Sequence, residues 1–220
     1  METIVSRQEW LAARQALLVA EKKLADARTA VVDQRRALPW TRVEKAYAFD
    51  TPAGRQTLAE LFDGRSRLIV YHFMFAPEWQ DGCPGCSMLG NHLDGIEAEL
   101  ARQDAIFTAI SRAPLEKIED YRKRRGWRFK WVSSQPSDFN YDYQASFRAD
   151  QVGQEVVYGF ERCRIDREDL PGTSVFARNA AGEVFHTYSA YTNGGDMPLA
   201  YLPGNSVRVR VRVVGDVAAS

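Results

Sequence analysis

The residues best suited to chemistry are two cysteines, Cys83 and Cys86, in the segment Trp79-Gln-Asp-Gly-Cys-Pro-Gly-Cys-Ser87. This segment follows a continuous apolar run and precedes a stretch with helical spacing, which places Cys83 near the N-terminus of a helix. Unpaired backbone N–H groups and the helix dipole stabilise a thiolate there. Pro84 suits the first helical position, and Gly85 lets the loop close without a side-chain clash. We therefore predict that Cys83 is a catalytic nucleophile and that Cys86 resolves the mixed disulfide it forms.

Charged residues around the pair act on a thiolate in opposite directions. Glu78 and Asp81 disfavour the thiolate if they lie within about 6 Å of it, whereas Arg112, after the next predicted strand, offsets them. We predict that Arg112 binds substrate, together with Trp79 and with His186, which points from a predicted hairpin toward a cleft.

Two other interpretations of the cysteine pair remain open. In one, Cys83 and Cys86 are packed thiols on a fold that has lost its activity. In the other they bind zinc, which usually requires four ligands. The chain has no second C-x-x-C, and His92 falls on a different face of the helix from Cys86, so we predict neither a metal nor a cofactor. Cys163 is expected to be an inert thiol.

The other polar candidates have structural explanations. His72 lies inside an apolar run, which is typical of a core histidine with satisfied hydrogen bonds. The basic residues 122–125 lie at the end of a predicted helix, where cations are favourable in any case. A solvated helix end therefore explains them better than a phosphate or nucleic-acid site does.

A long helix is predicted over residues 6–36. Ser6 and Glu9 form an S-x-x-E capping box, and Pro39 ends the helix. Apolar residues recur every seven positions with alanines three positions after the first three of them: Trp10, Leu17, Leu24 and Val31, with Ala13, Ala20 and Ala27. This stripe indicates either a coiled-coil dimer arm or a helix lying across its own domain.

The centre of the chain alternates strand and helix patterns. A half-buried strand is predicted at 42–50 and a strand buried on both faces at 68–75. The later elements are a helix with apolar positions Leu89, Leu93, Ile96 and Leu100, a strand at 104–111, a helix starting at Pro114 and a strand at 129–133. Strands that alternate with helices predict a parallel sheet with right-handed crossovers.

The C-terminal half departs from this alternation. Residues 137–170 carry many aromatics among polar residues and are interpreted as an insertion. Residues 174–189 form a predicted hairpin, and 207–214 alternate Val and Arg as a strand does. We therefore divide the chain into an N-terminal helical extension (1–40), a domain (41–191) containing the insertion (137–170), and a C-terminal tail (192–220).

Composition limits the classes of function. The 220 residues are 45% hydrophobic and 26% charged, and Lys plus Arg equals Asp plus Glu at 29 each. This neutral balance gives no support to a nucleic-acid or membrane-surface partner. The chain lacks an apolar run of about 18 residues and a secretory signal pattern, and its three cysteines do not make a disulfide framework, so a cytoplasmic protein is expected.

Several segments together resemble the bacterial DUF899 family, a thioredoxin-like family related in layout to the peroxiredoxin and thiol-specific-antioxidant group. The segments are Phe73–Trp79, Gly82–Cys86, Ser111–Lys117, Gly126–Ser134, Ser137–Asp142 and Val184–Ser189. The resemblance implies an α/β thioredoxin-like fold with a central mixed sheet flanked by helices, to which this chain adds the long N-terminal helix and the aromatic-rich insertion. The family has no established substrate.

The wider thioredoxin pattern implies two further features. Cys83 and Cys86 match its redox pair, although Pro and Gly stand in the reverse order to C-G-P-C. Pro171 stands where thioredoxins have a substrate-binding cis-proline, so we expect a cis Leu170–Pro171 bond. Residues 192–220 depart from the pattern, because a Gly-rich loop and a Val/Arg strand replace the usual closing helix.

Two hypotheses of function follow. The first is a thiol–disulfide oxidoreductase or thiol peroxidase, acting on a protein thiol or disulfide or on a peroxide through Cys83 and Cys86. The second is a redox-inactive binding or structural module that forms a homodimer through its N-terminal helix.

Overall fold

The computed structural model describes residues 3–191, which divide into two compact units between Pro39 and Trp40. The C-terminal tail and its predicted strand at 207–214 lie outside the described residues. Within the described part of the chain, no helix is long and apolar enough to cross a membrane.

The first unit contains one helix, α1 (Arg7–Arg36), of 30 residues. The predicted capping box is confirmed, since the Glu9 amide donates to the Ser6 hydroxyl while the Glu9 carboxylate accepts from the Ser6 amide. The four apolar residues that recur every seven positions are 42 to 56% exposed: Trp10, Leu17, Leu24 and Val31. The helix therefore keeps an apolar stripe along its length.

The second unit is built on a mixed sheet, which has eight strands in the described residues. In spatial order they are β1 (Thr41–Arg42), β10 (Val184–Tyr191), β9 (Gly172–Arg178), β4 (Arg67–His72), β5 (Ala105–Ser111), β6 (Lys130–Ser133), β2 (Ala48–Thr51) and β3 (Gly54–Thr57). Strands β4, β5 and β6 run parallel, and the remaining neighbours are antiparallel. The α/β class with a central mixed sheet is confirmed.

Helices follow the parallel strands, as predicted. They are α2 (Pro84–Leu93), α3 (Glu97–Arg102), α4 (Leu115–Arg125) and the short α5 (Phe139–Asp142), with 3-10 turns at Glu60–Phe62 and Ala149–Gln151. The predicted apolar helical run from Leu89 to Leu100 is divided into α2 and α3, because Gly95 adopts a φ of 94° between them. That left-handed conformation cannot continue a right-handed helix.

The strand predicted over 42–50 is two strands in the structure. β1 pairs with β10 at one edge of the sheet, whereas β2 pairs with β3 and β6 near the other edge. Residues 43–47 connect β1 to β2. The alternating segment that predicted one strand therefore contributes two strands, which lie far apart in the sheet. Strand β3, which the sequence pattern did not predict, completes a hairpin with β2.

Strand β4 lies at the centre of the sheet and has apolar packing on both faces, as predicted. Leu68 and Val70 face one core cluster, while Ile69 and Tyr71 face the cluster that includes α2 and α4. This alternation follows from the two-residue period of a strand. Because β4 ends at His72, it delivers the chain to the cysteine loop at one defined edge of the sheet.

Residues 134–171 leave the sheet between β6 and β9. They contain α5 and a small separate hairpin, β7 (Glu155–Tyr158) and β8 (Glu161–Arg164). Phe139 and Tyr143 pack against Phe176 on the sheet face opposite to α2. The loop after β8 returns toward the edge at which β4 and β5 end, since Arg112, directly after β5, bonds to Asp169.

Candidate active site

Cys83 occupies the N-cap position of α2, and Pro84 takes the first turn, as the sequence predicts. The Cys83 amide donates to the Met74 carbonyl at 3.0 Å, which ties the cysteine to the segment that leaves β4. Its own carbonyl accepts from the amide and the hydroxyl of Ser87, both at 2.9 Å. The sulfur of Cys83 is therefore carried on a backbone held from both sides.

The two thiols differ in burial. Cys83 is partly exposed, whereas Cys86, on the first turn of α2, is 2% exposed and packs in the core cluster. Both are free thiols. A reagent in solution can therefore reach Cys83. Cys86 is accessible only to a group that is already attached to Cys83.

The environment separates the pKa values of the two thiols. Contact with the Cys86 side chain, with further contributions from the amides of Cys86 and Gly85 and the charge of Arg167, lowers the pKa of Cys83 to about 6 despite partial burial. The neighbouring Cys83 side chain, together with burial, raises the pKa of Cys86 well above its usual range. At neutral pH the pair therefore holds one thiolate, on Cys83, and one thiol, on Cys86.

Tyr71 is a member of the site that the sequence analysis missed. Its side chain is 6% exposed in the core cluster of Cys86, and burial together with the nearby thiols raises its pKa well above the usual range. The phenol is therefore protonated, and its hydroxyl lowers the pKa of Cys86, against the effects of burial and the Cys83 thiolate. The alternation of β4 was a signal for Tyr71, because it places that side chain on the face that α2 covers.

Arg167 is the second member that the sequence analysis missed. It lies in the loop between β8 and β9, and its charge favours the Cys83 thiolate. Nothing in the local pattern marks it, because the loop is far from Cys83 in sequence. A charge that favours the thiolate thus comes from residues 137–170.

Arg112, predicted to offset the acidic residues and bind substrate, is already engaged. Its guanidinium donates to Asp169, Glu168 and the Tyr141 hydroxyl, and its side chain is only 11% exposed. Of the two predicted acidic neighbours, Asp81 pairs with Arg124 at 2.6 Å and Glu78 is exposed.

Trp79 and His186 are on different sides of the sheet. Trp79 is partly buried against the same cluster as Cys83, and its carbonyl accepts from Lys117 at 3.1 Å. The His186 ring packs against Phe176 on the opposite face and bonds to the Ser189 hydroxyl at 2.8 Å. The structure thus brings Trp79 to the cysteine side of the sheet but not His186.

The expected cis bond before Pro171 is wrong. The Leu170–Pro171 peptide bond is trans. Pro171 does lie directly before β9, whose first residue, Gly172, pairs with His72 at the end of β4. The Pro171 carbonyl accepts from the Tyr158 hydroxyl at 2.6 Å. Without the cis bond, the substrate-binding role taken from thioredoxins does not apply to Pro171.

The other two histidines, His72 and His92, and the third cysteine, Cys163, lie apart from Cys83 and Cys86. His72 is 1% exposed and bonds to the Ser174 hydroxyl at 2.9 Å on the face opposite to α2. His92 bonds to the Met88 carbonyl within α2, and Cys163 lies on β8. Across residues 3–191, no three His, Cys, Asp or Glu side chains are grouped so that they could hold a metal ion.

Comparison with known proteins places the chain in a sequence family. A family described as "Bacterial protein of unknown function (DUF899)" matches residues 1–202. No curated protein matches the chain.

Solved structures to which the chain is similar include peroxiredoxins. Peroxiredoxin Q of Xanthomonas campestris has a TM-score of 0.42 and 16% identity over 66% of this chain and 78% of its own. PrxQ of Xylella fastidiosa gives 0.46 and 12% over 70% and 82%, and peroxidoxin BcpB of Mycobacterium tuberculosis gives 0.43 and 17% over 70% and 85%. At these identities, the roles of individual residues do not transfer between chains.

Proposed function

The chain belongs to the DUF899 family of bacterial proteins of unknown function, and from that premise we propose that it is a thiol-based oxidoreductase, either a thiol–disulfide oxidoreductase or a thiol peroxidase. One observation carries the proposal: the partly exposed Cys83 sulfur lies at the N-cap of α2 with a pKa of about 6. A thiolate is the form of cysteine that attacks disulfides and peroxides. Cys83 is the nucleophile and Cys86 the resolving thiol.

With a disulfide substrate, the reaction proceeds through a mixed disulfide. The Cys83 thiolate attacks one substrate sulfur, a new S–S bond forms, and the other substrate sulfur leaves as a thiolate. Cys86 then loses its proton and attacks the Cys83 sulfur, which releases the second substrate thiolate and leaves a Cys83–Cys86 disulfide. The substrate gains two electrons, and the cysteine pair loses two.

With a peroxide substrate, the same two thiols act in the same order. The Cys83 thiolate attacks the terminal peroxide oxygen, the O–O bond breaks, and an alcohol or water leaves after protonation. Cys83 becomes a sulfenic acid. The Cys86 thiol then displaces water from that sulfur to give the same disulfide, so both substrates converge on one oxidised state.

The cycle requires an external dithiol, which reduces the Cys83–Cys86 disulfide and is itself oxidised. We place this activity in the cytoplasm, where thiol reductants are present and cysteines are kept reduced. Three cysteines in 220 residues, all free in the structure, are consistent with that placement.

Single-cysteine variants test the proposal. With dithiothreitol as reductant, we expect Cys83→Ser to abolish both insulin reduction and hydrogen peroxide consumption, because it removes the nucleophile. Cys86→Ser is expected to retain the first attack and to accumulate a mixed disulfide or a dimedone-reactive sulfenic acid, detected by mass spectrometry. Cys163→Ser is the matched control and should keep full activity.

Activity that survives in Cys83→Ser would overturn the mechanism. An unmodified Cys83 in the Cys86→Ser protein after incubation with both substrates would count equally against it. The substrate consumed by the unsubstituted protein decides between oxidoreductase and peroxidase.

The partner we propose for α1 is a second copy of this chain. The apolar stripe of α1 repeats every seven residues over four positions and is about half exposed, and small alanines between them allow close approach of a second helix. This stripe is also what favours the alternative function of a redox-inactive module assembled through α1. Leu17→Glu with Leu24→Glu should convert a dimer to a monomer in light-scattering measurements, whereas Lys22→Glu on another face should not.

A further inference from the structure

Four polar side chains form a continuous line of hydrogen bonds on the sheet face opposite to α2. Nε2 of His72 lies 2.9 Å from Oγ of Ser174, and that oxygen lies 2.9 Å from Oγ of Ser189. Oγ of Ser189 lies 2.8 Å from Nε2 of His186. His72, Ser174 and Ser189 are buried, whereas His186 is partly exposed. We call these four side chains the His–Ser relay, and it links β4, β9 and β10.

The relay lies among apolar side chains, so the positions of its protons matter. The core cluster on this face of the sheet contains Val70, Phe139 and Phe176. In such surroundings a hydrogen bond is strong, and a polar group without a partner is costly. Each serine hydroxyl has only one proton to donate, so a donation by one member of the relay determines what the next member can do.

A β-bulge in β10 gives the outer end of the relay a second partner. The register of β10 against β9 shifts between His186 and Tyr188. With this bulge, Nε2 of His186 lies 3.0 Å from the Tyr188 carbonyl oxygen as well as close to Ser189. Bulges re-aim side chains in this way. His186 therefore meets one group whose role is fixed, because a carbonyl oxygen can only accept a hydrogen bond.

The Tyr188 carbonyl assigns a direction to every bond of the relay. Nε2 of His186 must carry a proton, and its N–H is shared between the carbonyl and Ser189. That nitrogen then has no lone pair for Ser189, so the Ser189 hydroxyl donates to Ser174. Ser174 in turn donates to Nε2 of His72. His72 is neutral, since burial lowers its pKa to about 3, and its single ring proton is therefore on Nδ1.

We propose that the His–Ser relay is a two-state proton switch, in which the Tyr188 carbonyl at the bulge of β10 sets the tautomer of His72 at the end of β4. In the second state all three bonds reverse, so that His72 donates from Nε2 and His186 accepts at Nε2. Each histidine keeps one ring proton in both states. The second state gives up the bond to the Tyr188 carbonyl, which is why the first is favoured.

The other titratable groups against the relay are phenols that keep their protons. The Tyr143 ring packs on both histidines, with centroids 6.3 Å from His72 and 5.2 Å from His186. The Tyr191 hydroxyl donates to the Tyr143 carbonyl at 2.7 Å. Burial raises the pKa of Tyr143, and it raises the pKa of Tyr191 to about 12 against an opposing effect of the Ser189 hydroxyl. Tyr191 is thus the competing acceptor for Ser189.

Long-range ¹H–¹⁵N NMR of the full chain at pH 7 reads the tautomers directly. The chain has three histidines, and His92→Gln assigns the ring outside the relay. We expect opposite tautomers, with the proton of His72 on Nδ1 and that of His186 on Nε2. A proton on Nε2 of His72 in the unsubstituted chain would overturn the proposal, because Ser189 would then donate to Tyr191 and not to Ser174.

Ser189→Ala tests whether the tautomer of His72 is set from β10. It removes the link, so the ¹⁵N resonance of His72 Nε2 should move toward that of a protonated nitrogen while His186 keeps its proton on Nε2. His186→Phe, which removes the donor and keeps a ring against Phe176, should release His72 in the same way and serves if Ser189→Ala does not fold.

Thr187→Val is the matched control. Its hydroxyl lies at the same bulge but donates to the Val175 carbonyl at 3.1 Å, outside the relay. Both tautomers should be unchanged in this variant. A His72 that keeps its Nδ1 proton in Ser189→Ala or His186→Phe, or that loses it in Thr187→Val, would contradict the proposal.

This switch is independent of the proposed reaction, because the cysteine pair lies on the other face of the sheet. The tautomers are measured without any thiol substrate. A failure of either proposal therefore leaves the other untouched.

Discussion

At the scale of single residues, the site depends on an asymmetry between two thiols of the same type. Cys83 is partly exposed with a pKa of about 6, whereas burial and the neighbouring thiolate raise the pKa of Cys86. In the proposed reaction, the first attack would therefore require no proton removal at pH 7. The second step would require it, because Cys86 would have to ionise before it attacks Cys83.

Tyr71→Phe should slow only that second step. The change keeps the buried ring and removes the hydroxyl that favours the Cys86 thiolate. A hydrogen bond to a charged group contributes roughly 1.5–3 kcal/mol, so we expect resolution of the mixed disulfide to slow by about tenfold or more. Stopped-flow kinetics with a chromogenic disulfide separate the two steps.

Tyr121→Phe is the matched control for Tyr71→Phe. Its hydroxyl lies in the same core cluster but bonds to Ser87 at 2.8 Å, not to a sulfur. It should leave both rates unchanged. Equal slowing by both variants, or slowing of the first attack by Tyr71→Phe, would contradict the assigned role.

At the scale of elements, the turn into α2 determines where Cys83 lies. Gly82 is buried directly before Cys83, and a Cβ atom there would come within 2.7 Å of the Phe73 ring and 3.2 Å of the Tyr121 ring. Both rings belong to the core cluster beneath the cysteines, so neither can move freely. Only glycine allows the loop to lie this close to the sheet.

Gly82→Ala should therefore destabilise the fold and displace Cys83. Overpacking of this kind costs about 1–3 kcal/mol in the free energy of unfolding, measurable by urea denaturation. Gly85→Ala is the control, because its Cβ would meet nothing closer than the Cys83 sulfur at 3.9 Å, and alanine is favoured over glycine in a helix. A Gly82→Ala protein as stable as Gly85→Ala would contradict this, because it would show that the turn accommodates a Cβ atom at position 82.

At the scale of the whole molecule, the sheet separates two polar systems. The cysteine pair lies on the α2 face, while His72 lies on the opposite face in a buried chain with the hydroxyls of Ser174 and Ser189 that reaches His186. Burial lowers the pKa of His72 to about 3. This histidine is neutral in the fold at every pH at which the proposed reaction would run.

The free energy of unfolding should fall as the pH falls from about 6.5 toward 3. In that range the unfolded chain binds a proton on His72 and the folded chain does not, so acid favours unfolding. The contribution of His72 between pH 7 and pH 5 is roughly 2 kcal/mol. Urea denaturation at the two pH values checks this.

His72→Gln isolates the contribution of this one group. The variant is less stable at pH 7, because glutamine does not reproduce the ring packing against Phe139, but its stability should depend on pH less steeply by that amount. Parallel pH dependences in the two proteins would show that His72 does not stay neutral in the fold.

Features set by short-range rules were predictable from the sequence. The capping box at Ser6, the proline after Cys83 and the apolar run of β4 each act within a few residues, so α1, the N-cap position of Cys83 and the central strand followed from the pattern. The order of strands and helices also follows from local periodicity.

Only the tertiary structure decided which distant residues share the site. Tyr71, Arg167 and the partners of Arg112 come together because of strand order and the path of the insertion, neither of which a local pattern records. The same holds for the trans bond at Pro171 and for residues 42–50, which contribute strands to two distant positions in one sheet. The physical reason is that these contacts depend on the packing of the whole chain, whereas helix caps and strand periods depend on a few neighbours.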